Sequence, residues 1–75
     1  MLKSIPKPSF LDNCKKLGFI NGQRRWQNKK GDRLYTWDGL HGEIEVFDKN
    51  GQHLGVLDAR GNLIKGAVRG RRINV

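Results

Sequence analysis

Residues 42–58 read GEIEVFDKNGQHLGVLD, two short runs of alternating polar and apolar residues on either side of Lys49-Asn50-Gly51. Asn-Gly between alternating runs is the strongest local signal for a β-hairpin. Alternation with a period of two places Ile44 and Val46 on one face of a strand and Glu43 and Glu45 on the other. The same punctuation continues outward in both directions. QRRWQ (23–27) and DRLYTWD (32–38) flank an NKKG turn, and NLIKGAV (62–68) follows Ala59-Arg60-Gly61. Ten glycines in 75 residues suit a chain that turns often.

Upstream the pattern changes. Ser9 followed by Asp12 has the form of a helix capping box, and Gly18 can end a helix. Phe10, Cys14 and Leu17 would then share its inner side. Pro6 and Pro8 discourage helix before them, so residues 1–8 read as an extended lead-in. The expected fold is mainly β (α+β): an antiparallel sheet of four to six strands with one short N-terminal helix. One domain, 1–75, is expected, with lead-in and helix over 1–23 and the sheet over 24–75.

Composition narrows the function. A chain this short buries only about 60% of its unfolded surface, so it has one thin core. No run of about 18 apolar residues offers a membrane-spanning helix. The opening MLKSIPKPSF lacks the apolar centre of a signal peptide, so export would be encoded outside this segment. Cys14 is the single cysteine, which excludes an internal disulfide or a cysteine metal cluster. The net charge is +8, which points to nucleic acid, an anionic surface or an acidic protein. The charges are segregated. Residues 1–36 hold nine Lys/Arg against two acids, residues 59–75 hold five and none, and residues 37–58 hold five acids against one lysine.

That acidic island contains WDGLHGEIE, residues 37–45. Gly39 and Gly42 oppose a helix by about 1 kcal/mol each, so Asp38 is expected at a strand end, with a turn at 39–40 and a strand over 41–48. His41, Glu43 and Glu45 would then share one open face, with Asp38 folded back towards His41. Such a face suits RNA cleavage without a metal. A carboxylate takes the proton of a ribose 2′-OH, and a protonated imidazole donates to the departing 5′ oxygen. A carboxylate beside an imidazole favours its charged form. Arg69, Arg71 and Arg72 of the tail RGRRINV supply positive charge for the phosphate. The competing reading of such a cluster is a solvated strand face.

The motif Tyr35-x-Trp37-Asp38-x-x-His41-Gly42-Glu43-x-Glu45, with GQHLG at 51–55, then LIKG and RRI, resembles the C-terminal cytotoxic domain of the ribosome-inactivating colicins and cloacin. The resemblance runs from about Arg25 to Ile73. It implies a strongly twisted sheet and a toxin ribonuclease that cuts small-subunit (16S) ribosomal RNA at the decoding site, leaving a 2′,3′-cyclic phosphate with no metal or other cofactor. It implies Glu45 as general base, His41 as general acid, Asp38 as the support of His41, and Arg71 as the active-site arginine. Arg72 stands where the colicins carry Asn, so either arginine could be the phosphate partner, and register favours Arg71. Two hairpin tips are each one residue shorter than in the family. The resemblance further implies an acidic immunity protein as partner, with the domain secreted or surface-delivered on a larger toxin, a bacteriocin or a contact-dependent inhibition toxin, and acting in the target's cytoplasm.

Lys29, Lys30, Arg33, Tyr35, Trp37, Arg69 and Arg72 are expected to contact RNA, the aromatics by stacking on bases. Lys15, Lys16, Arg24 and Arg25 are further phosphate anchors. Glu43 is expected to support the site or contact an inhibitor, and His53 and Cys14 to be structural. Two other functions fit the same charge: a toxin nuclease acting on transfer RNA, and a non-catalytic β-barrel RNA-binding module.

Overall fold

A computed structural model describes residues 2–75. It contains one six-stranded antiparallel sheet in which the strands lie side by side in chain order. The strands are β1 (Lys15–Ile20), β2 (Gln23–Gln27), β3 (Arg33–Asp38), β4 (Glu43–Asp48), β5 (His53–Leu57) and β6 (Leu63–Gly66). Those from β2 onward lie where the alternation placed them, except that β4 begins at Glu43 rather than at residue 41. The sheet starts at Lys15 rather than at residue 24.

The expected N-terminal helix shrinks to a single 3-10 turn, Phe10–Asn13. Its capping box is formed, with Leu11 N–H donating to Ser9 Oγ at 3.2 Å and Ser9 N–H to Asp12 Oδ2 at 2.8 Å. Leu17 and Gly18 belong to β1 instead, where Lys16 pairs with Trp26 and Gly18 with Arg25 across a bulge. A helix of eight or nine residues is marginal alone, and pairing with β2 satisfies the same backbone groups in extended form.

The core lies on one face. Trp26, Tyr35, Ile44 and Val46 form it, and Leu11 closes it from above with Ile5, Phe10, Trp37 and Leu57 packed around the rim. The extended N-terminal segment is therefore the lid of the core. Lys3 N–H donates to Gly39 O at 2.7 Å, Trp37 Nε1 to Lys3 O at 2.9 Å, and Phe10 N–H to Ala59 O at 2.8 Å. Phe10 meets Tyr35 edge to face at 5.2 Å. Cys14 is partly buried against the same cluster.

Two hairpins share one design. Asp48 Oδ1 accepts the N–H groups of Asn50 and Gln52, each at 2.9 Å, and Asp58 Oδ1 accepts those of Arg60 and Asn62, each at 2.9 Å. Gly51 and Gly61 close these turns at φ +88° and +95°. Beyond β6 the chain returns along the β5 edge: His53 N–H donates to Arg71 O at 3.0 Å and Ile73 N–H to Gly51 O at 2.9 Å. A Cβ on Gly51 would collide with the Ile73 carbonyl oxygen. Gly51→Ala is therefore expected to destabilise by about 1–3 kcal/mol and to loosen the arm that carries Arg71. A thermal melt unchanged from wild type would refute this.

Candidate active site

The face opposite the core carries the polar groups. Cross-strand pairs run Arg25–Thr36, Thr36–Glu45, Glu45–Val56 and Val56–Lys65, one continuous row over five strands, with Asp38 opposite Glu43 beside it. Glu43 and Glu45 thus stand away from Ile44 and Val46, as the period of two requires. His41 is not on the strand. It sits in the turn between β3 and β4, because Asp38 folds that turn back on itself.

Asp38 makes the turn and orients the imidazole together. Its Oδ1 accepts the N–H of Leu40 at 3.0 Å and of His41 at 3.2 Å, its carbonyl accepts Gly42 N–H at 2.8 Å, and its Oδ2 lies 2.7 Å from His41 Nδ1. Nε2 of His41 is left as the working edge of the ring. Gly42 completes the turn at φ +70°. Burial pushes the Asp38 carboxyl up, but hydrogen bonds from the His41 ring, from backbone N–H groups and the His41 charge more than offset it, holding it below the ordinary carboxylate range.

A carboxyl held low by folding adds stability that is present above its unfolded value of about 3.9 and is lost as pH falls through the lower folded value. Asp38→Asn should therefore flatten the acid loss of stability below about pH 4, read as urea midpoints against pH. Parallel curves for variant and wild type would contradict it. Above that window Asp38 stays charged.

On β4, Glu45 Oε1 accepts from Arg71 Nη1 at 2.7 Å, and His53 Nε2 lies 3.3 Å from the same oxygen. The His53 approach is close but misses regular hydrogen-bond geometry, so it is a charge–dipole contact. Glu43 Oε1 pairs with Lys65 Nζ at 3.1 Å. These groups line a cleft of about 190 Å³ with Asp38 and His41 at one end and Arg71 at the other. A more spacious hollow of about 450 Å³ lies between the N-terminal segment and β1–β2 but gathers no acid–base set. Chemistry, not volume, marks the site.

The structure brings together Asp38, His41, Glu43, Glu45 and Arg71. Arg71, not Arg72, reaches Glu45; Arg72 Nη2 turns to Asn50 O at 3.4 Å. Arg69 and Arg72 are exposed beside the cleft, around a second hollow bordered by Arg71. Lys29, Lys30 and Arg33 are exposed at the opposite end of β3 from Asp38, outside the cleft. Tyr35 does not present a stacking surface: it is 5% exposed and belongs to the core. Trp37 is half-buried on the core side, tied to Lys3.

Two residues gain weight. Lys65 is the single charged residue of β6, and that is the sequence signal that could have marked it. Arg25, expected as a surface anchor, is 4% exposed on the row containing Glu45, and its Nε has no partner. A buried guanidinium edge without a partner is costly unless an anion reaches it. Asp38, His41 and Glu43 could bring three ligand atoms within 4.8 Å of one another, although Lys65 already engages Glu43.

The family described as Cytotoxic matches residues 6–74, and the chain belongs to it. It is 46% identical to colicin E3 of Escherichia coli over 46 residues, which is 59% of this chain and 8% of that protein. It is 46% identical to colicin-E6 over 44 residues and 41% identical to cloacin over 44 residues, both of Escherichia coli, each match spanning 56% of this chain and 8% of the relative.

Proposed function

We propose that this domain is a metal-independent endoribonuclease of a bacterial toxin, cleaving small-subunit ribosomal RNA at the decoding site. The observation that carries the reading is the cleft itself: a carboxylate paired with an arginine at one end, and a carboxylate-oriented imidazole at the other. Glu45 takes the proton of the 2′-OH, which attacks the neighbouring phosphorus. His41 gives a proton to the departing 5′ oxygen, and Asp38 holds its ring for that transfer. The products are a 2′,3′-cyclic phosphate and a 5′-hydroxyl. Arg71 moves its charge from Glu45 to the phosphate oxygens as they become more negative, with Lys65 beside it in the cleft.

The charge role that a metal would fill is supplied here by these cations, so cleavage is expected to survive a chelator. The toxin reading rests on the family, and so do delivery on a larger secreted or surface-borne protein and an acidic immunity partner. A +8 charge suits fast, steered capture by an acidic surface.

The test is to incubate the domain with intact bacterial ribosomes, and separately with total transfer RNA, and to map the fragment ends. One cut near the 3′ end of the small-subunit RNA, persisting in EDTA, is the expected result. Cuts confined to transfer RNA would keep the chemistry and replace the target. A folded domain that binds RNA and cuts neither would leave the binding-module reading in its place.

A further inference from the structure

The His53 side chain is wholly enclosed. Phe47 packs edge-on against its ring at 5.3 Å. Val68 N–H donates to Nδ1 at 2.9 Å. A donor at Nδ1 requires a lone pair there, so the ring proton sits on Nε2, and Nε2 faces Glu45 Oε1 at 3.3 Å. The His53 backbone also holds Arg71, whose carbonyl accepts its N–H at 3.0 Å. One residue therefore grips the C-terminal arm at two points, Val68 and Arg71, while the ring nitrogen that carries its proton lies 3.3 Å from the carboxylate that Arg71 engages.

Building on the reading of Glu45 as base, we infer that His53 is a positioning residue that sets the Glu45 carboxylate and the arm bearing Arg71 in fixed relation to each other. Val68 selects the tautomer, and the tautomer turns the positive end of the ring dipole to the Oε1 side. Arg71 and His53 both address Oε1, which assigns Oε2 to the substrate hydroxyl. A buried histidine that served packing alone would need Phe47 and Val68 but not Glu45.

Two substitutions separate these roles. In His53→Asn the amide oxygen replaces Nδ1 as acceptor for Val68 and nothing reaches Glu45. In His53→Gln the longer amide can offer an N–H to Glu45. The Asn variant is expected to melt close to wild type, lose kcat by about 10–100-fold through a misplaced base, and keep its KM. The Gln variant should recover most of that kcat. Long-range ¹⁵N–¹H spectra of the free wild-type domain should show Nδ1 bare and Nε2 protonated.

Wild-type kcat in the Asn variant, a Gln variant no better than Asn, or the opposite tautomer would each overturn the inference. Glu45→Gln run alongside separates the two levels. If it cleaves as wild type, the base assignment fails and takes His53's role with it. If it is inactive while His53→Asn is fully active, only the role of His53 fails.

Discussion

Glu45→Gln is expected to slow RNA cleavage by about 10²–10⁴-fold while the domain stays folded. The substitution keeps shape and removes the proton-accepting charge. Glu45 stands on the polar face, outside the Trp26–Ile44 core, so its loss leaves the packing intact. His41→Ala should fall in the same range, with the core unaffected because the ring is 58% exposed in the β3–β4 turn. The double variant should be little worse than either single one, since groups that act in one concerted transfer are strongly non-additive. Single-turnover cleavage of ribosomes, with circular dichroism to verify folding, measures all three. Residual activity within threefold of wild type in either single variant would remove that residue from the proton transfers.

The largest effect on stability is expected from Ile44→Ala. Ile44 is 0% exposed, lies between the two glutamates of β4, and packs in the cluster of Trp26, Tyr35, Val46 and Leu11. Truncating such a residue costs about 2–5 kcal/mol. At about 0.05–0.15 kcal/mol per residue, a domain of this size holds only about 4–11 kcal/mol in all. The change should lower the melting temperature by 10 °C or more, on the order given by about 4–8 °C per kcal/mol for small domains. Ile44→Val, which removes one methyl group, should cost about 0.5–1.5 kcal/mol. A urea midpoint for Ile44→Ala equal to that of Ile44→Val would show that the core does not close over this position.

These two residues show why much of the molecule could be read in advance. Ile44 and Glu45 are neighbours on a strand whose alternation fixes their opposite faces, and an Asp-x-x-x-Gly turn at 38–42 and an Asp-x-x-Gly turn at 48–51 mark its ends. Local rules suffice there. They fail at β1, where KKLGFI carries a cap-like Ser9 upstream and a glycine at 18, and reads equally well as a helix end. Only pairing with β2, through a bulge at Lys16–Gly18, decides for strand. They fail at Tyr35, whose parity is that of Trp37 but which Leu11 and Phe10, from a distant segment, help to cover.

His53 and Arg25 are harder still. Each takes its meaning from a partner or a vacancy created by a non-adjacent stretch of chain: Val68 for one, the closed Arg25–Thr36–Glu45 row for the other. The family resemblance singled out His41, Glu45 and Arg71. It did not supply the hydrogen bonds that hold them.

The strand order has a consequence for how the domain acquires its shape. Each strand pairs only with those next to it along the chain, so every hairpin closes a short loop and none waits for a distant partner. Folding rates fall as contacts become more remote in sequence. A meander of this kind should therefore refold faster than sandwiches and barrels of similar length, and stopped-flow tryptophan fluorescence would read the rate. The six strands would thus reform from neighbour pairings alone, and the arm bearing Arg71 would dock on β5 once they had.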